Sequence, residues 1–169
     1  NAETGPYIIR YPRGYGEGTG WQTSEFEEYA AGKGEKLKDG EDIAVIAAGP
    51  FANRAVEAAE IVKEKTGRCP AIYNIRYIKP VDEDMLEEIC GKFDEIITIE
   101  DGCITGGLYG CVAEYTAQRD KGISITPIAI PDSYLSQGKQ EELRDECGLT
   151  TRRIAETIEG KMKKISKKD

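Results

Sequence analysis

Arg10 and Arg13 are the residues of this sequence best shaped to hold a ligand. They flank Tyr11-Pro12 and open onto the glycine-rich stretch Gly14-Tyr15-Gly16-Glu17-Gly18-Thr19-Gly20. A guanidinium offers a rigid fork of donors that matches a phosphate or a carboxylate. A surface salt bridge is the competing use of either residue. A second group is Glu100-Asp101-Gly102-Cys103-Ile104-Thr105-Gly106-Gly107. Its two acids could do proton transfer, and Gly106-Gly107 ahead of a helix could present free N–H groups to an anion. Neighbouring residues at a strand end face opposite ways, so capping or an interface contact suits Glu100 and Asp101 better than a cooperating pair. The glycines fit a tight turn and close packing equally, since no GxGxxG or Walker pattern accompanies them. Cys103 is the most plausible reactive thiol, against the default of an inert cysteine.

Asp82-Glu83-Asp84 follows Pro80. Acids there complement a helix start, and no EF-hand spacing supports a cation site. The five cysteines form no CxxC pair, which argues against a zinc site or a disulfide framework and for reduced thiols in a cytoplasmic protein. Histidine is absent from all 169 residues. That removes the commonest general base and metal ligand and excludes any His-containing triad within this chain.

The elements that must carry these residues begin after an irregular first third. Tyr7 to Arg10 reads as a short strand stopped by Pro12, and Trp21 to Ala31 as a connector. Lys36-Leu37-Lys38 leads into Asp39-Gly40, a hairpin-type turn signal. Ile43 to Ala48 is an unbroken apolar run, the mark of a strand buried on both faces. A helix with Ala55, Val56, Ala59 and Val62 on one face follows. Strands at Ala71–Ile75, Ile96–Ile99 and Ile123–Ile130 alternate with helices marked by Met85, Leu86, Ile89 and Cys90, then by Leu108, Cys111, Val112 and Tyr115. Two helices close the chain: Glu141–Glu146, and a longer one carrying Ile154, Ile158, Met162 and Ile165. This alternation predicts a three-layer α/β/α domain of about five strands, mostly parallel, with one antiparallel edge strand. Ligands then belong beyond the carboxyl ends of the strands, at Ala48-Gly49-Pro50, Glu100–Gly107 and Ile130-Pro131-Asp132-Ser133.

The balance of 23 basic to 31 acidic residues, a net −8, disfavours nucleic acid. No apolar run reaches the roughly 20 residues of a membrane helix, and Asn1 to Gly5 is polar, unlike a secretory leader. The lysines of 161–169 read as a solvated helix end.

Several segments carry a resemblance. Ile9-Arg10-Tyr11-Pro12-Arg13-Gly14 resembles the motif that closes the pyrimidine-binding domain of 1-deoxy-D-xylulose-5-phosphate synthases. Ala31-Gly32-Lys33-Gly34-Glu35 is similar to the entry into their C-terminal domain. Asn74-Ile75-Arg76-Tyr77-Ile78-Lys79-Pro80-Val81-Asp82-Glu83 looks like their Arg-Phe-Val-Lys-Pro-Leu-Asp-Glu segment. Thr98-Ile99-Glu100-Asp101-Gly102, Ile130-Pro131-Asp132 and Gln140-Glu141-Glu142-Leu143-Arg144 extend the match. The stretch from Gly14 to Ala31, Ala129, and the lysine tail depart from the family pattern.

The resemblance implies a transketolase-type transferase that condenses pyruvate with glyceraldehyde 3-phosphate and releases carbon dioxide. It implies thiamine diphosphate and Mg2+ in the full-length enzyme, held by domains upstream, and none bound by this fragment, which alone would be inactive. Carried over residue by residue, Arg13 would hold the phosphate of the triose phosphate, and Arg10 is the second candidate. No catalytic or metal-binding residue is implied within this chain. The expected partners are the upstream domains, a second copy in a homodimer, and small-molecule substrates. The implied organisation is the end of the pyrimidine-binding domain with its linker at 1–31, a transketolase C-terminal-like domain at 32–160, and a lysine-rich tail at 161–169. Transketolases and β subunits of 2-oxo acid dehydrogenases share part of this text and stay open as alternatives. So does a free-standing binding or regulatory module, against which stands the lone opening strand.

Overall fold

The computed structural model describes residues 28–119 and 121–165. Arg10, Arg13, the Tyr7–Arg10 segment and the glycine-rich stretch lie outside the described residues. The elements in chain order are β1 (Glu35–Lys38), β2 (Ile43–Ala47), α1 (Phe51–Thr66), β3 (Ala71–Asn74), α2 (Glu83–Lys92), β4 (Glu95–Cys103), α3 (Leu108–Thr116), β5 (Ser124–Ile130), α4 (Gln140–Glu146) and α5 (Thr151–Ile165). The five strands form one sheet in the order β1-β3-β2-β4-β5. β3, β2, β4 and β5 pair in parallel, and β1 runs antiparallel on the edge beside β3.

The pleat divides β2 between two cores. Ile43, Val45 and Ala47 pack with Ala55, Ala59 and Val62 of α1 and with Ile154, Ile158 and Met162 of α5. Ala44 and Ile46 pack on the opposite face with Leu86 and Ile89 of α2 and with Leu108 and Val112 of α3. Every residue of β2 is buried, which is why its sequence is an apolar run and not an alternation. The step from β2 to β3 carries α1 on one face; the step back from β3 to β4 carries α2 on the other. Right-handed crossovers demand that change of face when the chain reverses along the sheet.

Two local readings of the sequence are corrected. Asp39-Gly40 does not join a hairpin, because β3 sits between β1 and β2. The connection crosses the amino end of β3: Glu41 N–H donates to the Cys69 carbonyl at 2.9 Å. A Cβ on Gly40 would lie 2.1 Å from the Pro70 carbonyl carbon, so the glycine serves a close backbone approach. β4 also outruns its apolar stretch: Glu100 to Cys103 continue the strand, with Cys103 level with Ile130 of β5. The closing helix is as the sequence reads: α5 runs to Ile165 and buries Met162, and Lys161 pairs with Glu95 at 3.2 Å.

Candidate functional site at the carboxyl end of the sheet

The chain leaves β2 toward β3 and later passes to β4 on the other side of β2. The strand order therefore reverses between β2 and β4, the position where open α/β sheets place ligands. There the carboxyl ends of β2 and β4 are joined by Ala48 N–H donating to the Ile99 carbonyl at 2.9 Å.

Glu100 follows directly and is buried, at 5% exposure, whereas Asp101 is exposed. The two acids thus part as the pleat requires, and do not form a proton-transfer pair. The Glu100 carboxylate accepts the Tyr109 N–H in the first turn of α3 at 3.1 Å. Gly107 caps that helix, and a Cβ there would fall 2.2 Å from Glu100 Oε2. Gly106 has φ +77°, a conformation that glycine adopts without penalty. Gly107 therefore makes room for the protein's own Glu100 carboxylate, and Gly106 serves the turn.

The thiols show no catalytic setting. Cys103 is exposed and all five cysteines are free. Burial pushes the thiols of Cys69, Cys90, Cys111 and Cys147 up from their ordinary range, which lowers their thiolate fraction.

The segment Asn74–Glu83 holds the chain that enters the domain. Arg76 has φ 52°, a left-handed conformation uncommon outside glycine. The Asn74 side chain accepts the Arg76 N–H at 3.2 Å, and Tyr77 N–H donates to the Ile75 carbonyl at 2.5 Å. The turn aims the Arg76 guanidinium at Glu35, its ion-pair partner, and over the Tyr29 ring, 3.6 Å from the centroid. Lys79-Pro80 is a cis peptide. Gly32, at φ +74°, brings the incoming chain so near Pro80 that a Cβ would be 3.0 Å from the proline Cγ.

Asp82 completes this arrangement. Its carboxylate caps α2 by accepting the Met85 N–H at 3.2 Å, takes the Gly34 N–H at 2.9 Å, and pairs with Lys33 at 3.1 Å. Lys33 reaches Asp84 as well, at 2.5 Å. Burial alone would raise the Asp82 pKa, but the Gly34, Lys33 and Met85 contacts outweigh it and hold the carboxyl below its ordinary value. The helix start read from the sequence after Pro80 is borne out, with Glu83 and Asp84 in the first turn of α2 and Asp82 as its cap. The contacts to Lys33 and Gly34 are not visible in the sequence, which gives no signal for partners 48 or 49 positions apart.

One more charged group stands near this end. Glu141 of α4 accepts from Arg54 at 2.8 Å and from Arg144 at 2.6 Å, tying α4 to α1. Beside it lies a small cleft of about 150 Å³ lined by Asp101, Ile130, Leu135, Leu143, Arg144 and Leu149 among others.

Among the described residues, no group of three or more His, Cys, Asp or Glu side chains is placed to hold a metal ion. The space at Gly107 that could face a phosphate is filled by Glu100. No helix among the described residues is long and apolar enough to cross a membrane.

Comparison with known proteins places this geometry. The chain is 41% identical over 154 residues to the 1-deoxy-D-xylulose-5-phosphate synthase of Cytophaga hutchinsonii, a match covering 91% of this chain and 24% of that protein. It is 42% identical over 147 residues to the protein of the same name from Bacteroides thetaiotaomicron, covering 87% of this chain and 23% of the relative. The chain thus spans about a quarter of the length of these curated relatives. A solved structure described as "Split gene transketolase, inactive beta4 tetramer" superposes with a TM-score of 0.73 at 24% identity, over 81% of this chain and 44% of that one; it shares the fold. The family model "Transketolase, C-terminal domain" matches residues 32–154, and the chain belongs to that family.

Proposed function

We propose that this chain is the C-terminal part of a thiamine-diphosphate-dependent 1-deoxy-D-xylulose-5-phosphate synthase, a transferase that joins pyruvate to glyceraldehyde 3-phosphate with loss of carbon dioxide. The observation that carries this reading is the 41% identity over 154 residues to a relative of that name. Thiamine diphosphate with Mg2+ supplies carbanion stabilisation when bound. Both belong to the part of the enzyme outside this chain, so the chain alone is inactive.

The chain's own contribution is substrate binding and the placement of domains. Arg13 holds the phosphate of the triose phosphate, and Arg10 is a second, weaker candidate for the same phosphate. A fixed guanidinium orients the acceptor and removes part of the entropic cost of bringing two substrates together. The segment 1–31 ends the pyrimidine-binding domain and links it to the domain at 32–160, with 161–169 as a tail. The enzyme is a cytoplasmic homodimer acting on small molecules. The test is to assay the gene-encoded polypeptide with pyruvate and glyceraldehyde 3-phosphate, thiamine diphosphate and Mg2+ present, and in parallel with a ketose phosphate donor. Deoxyxylulose phosphate formation is expected. Ketol transfer between sugar phosphates without it would reassign the chain to a transketolase.

A further inference from the structure

Three large apolar side chains stand exposed among the described residues: Tyr29, Ile78 and Tyr134. All three lie at the carboxyl end of the sheet. Ile78 is in the loop after β3, and Tyr134 is in the loop after β5. Tyr29 is held at the β3 end by Arg76, 3.6 Å from its ring. β3 and β5 are separated by β2 and β4, so the exposed groups span about 14 Å along the sheet end. Single exposed apolar residues are ordinary. Their confinement to one end is not, and Tyr134 is fully exposed, with no packing from its own domain.

The same end is where the chain enters. Tyr29 is pinned by Arg76, Gly32 lies against Pro80, and Gly34 and Lys33 are bound by Asp82. The polypeptide before Tyr29 therefore emerges at this face. Arg76 holds a left-handed backbone conformation to do so, and strain of that kind concentrates where a geometry must be enforced. The relatives are about four times as long as this chain, which covers 24% of the first of them.

We propose that the carboxyl end of the sheet, from Tyr29 and Ile78 across to Tyr134, is a docking face for the polypeptide upstream of Tyr29, and that the Arg76 clamp sets the angle at which that polypeptide meets it. This rests on the reading of the chain as part of a longer enzyme, and adds to it which surface is covered and which residues position the cover. Tyr134 and Ile78 supply apolar anchors of the kind that dominate such contacts. Arg76 is a positioning residue. It acts through Tyr29 and Glu35.

Hydroxyl-radical footprinting of the gene-encoded polypeptide against the chain Asn1–Asp169 tests the face. Oxidation of Tyr134 and Ile78 is expected to slow by about tenfold in the longer protein, with Tyr115 in the last turn of α3 unchanged. Oxidation of Tyr134 and Ile78 as fast in the longer protein as at freely exposed side chains, or protection centred on the last turns of α3 and on the β5 strand itself, would overturn the proposal; equal, strong protection in both proteins would assign the cover to residues 1–28. Protection that vanishes on dilution would overturn it too, in favour of a second copy as the occupant. Arg76→Gly in the chain Asn1–Asp169 tests the clamp, because glycine keeps the left-handed turn and removes the guanidinium. Proteolysis between residues 28 and 31 is expected to rise about tenfold while the melting temperature of the domain falls by only the few degrees that the lost ring and Glu35 contacts account for. An unchanged cleavage rate would remove Arg76 from the mechanism. Neither readout involves turnover, so a protein that makes no deoxyxylulose phosphate yet protects Tyr134 would refute the enzyme reading and leave the docking face standing.

Discussion

The Arg76 guanidinium lies 3.6 Å from the centroid of the Tyr29 ring, linking two residues 47 positions apart in the sequence. The contact joins the incoming chain to the loop after β3. Arg76 also pairs with Glu35, its own side chain mostly buried, so the cation is partly shielded from solvent. A double-mutant cycle of Tyr29→Ala and Arg76→Ala, read by urea unfolding, is expected to give a coupling of about 1 kcal/mol. Additive losses would mean that the stacking contributes nothing.

Asp82→Ala removes a helix cap, the acceptor for Gly34 N–H, and the partner of Lys33 in one step. The expected cost is about 2–3 kcal/mol in denaturant unfolding. The two N–H groups reach different carboxylate oxygens, so Asp82→Asn keeps an acceptor for one of them, turns an NH2 toward the other, and is expected to recover less than half of the loss. A variant Asp82→Ala as stable as the parent would place the helix start elsewhere.

How far the sequence reached follows from what each signal can see. The all-apolar run Ile43–Ala47 announces a central strand because nothing else buries both faces at once. The position of β1 did not follow from Asp39-Gly40, since a turn signal is local and the Pro70 backbone it must pass is 30 residues away. The apolar pattern of β4 stops at Ile99 because Glu100 and Asp101 break it, yet the strand runs on past a register shift to Cys103, which pairs with Ile130 of β5. The same long range hides the Lys33–Asp82 and Arg54–Glu141 pairs. The acidic helix start at Asp82-Glu83-Asp84 was readable because it is a property of adjacent residues.

Glu88 is the carboxylate whose pKa moves most visibly. Hydrogen bonds from Lys36 first, then Lys92, lower it to about 2 from an ordinary 4.5. A depressed folded pKa contributes stability that is present above the unfolded value and lost as pH falls through the folded one. Unfolding free energy measured from pH 6 to pH 2 is expected to fall below about pH 4.5, and Glu88→Gln to flatten that fall. The pair is partly exposed, so salt is expected to shrink the difference between the two proteins. A salt-insensitive difference would locate the effect in packing instead.

In the gene-encoded enzyme, Arg13→Ala is expected to raise KM for glyceraldehyde 3-phosphate while leaving pyruvate binding nearly unchanged. One charge-assisted contact to a phosphate amounts to about 1.5–3 kcal/mol, roughly one to two decades in kcat/KM. Steady-state kinetics with each substrate varied in turn reads the split. Equal losses for both substrates would make Arg13 a structural residue.

Gly107 and Glu100 make the sharpest test of the carboxyl-end cradle. A Cβ at Gly107 would stand 2.2 Å from Glu100 Oε2 and 2.6 Å from the carboxyl carbon. Glu100 is buried, so its carboxylate has no free space to retreat into. Gly107→Ala is therefore expected to cost about 2 kcal/mol or more, through overpacking and loss of the bond to Tyr109 N–H. Glu100→Ala alone gives up that bond and leaves a space, at about 1–2 kcal/mol. In the double variant the clash has no second partner, and the alanine Cβ fills room the carboxylate vacated. Unfolding curves are thus expected to show the double variant losing less than the sum of the single losses, by about 1 kcal/mol or more. Acetate or phosphate, added to Glu100→Ala, is expected to restore part of the loss by entering the emptied cradle at the amino end of α3. Strict additivity of the two substitutions would mean that the glycine is there for the turn and not for the carboxylate.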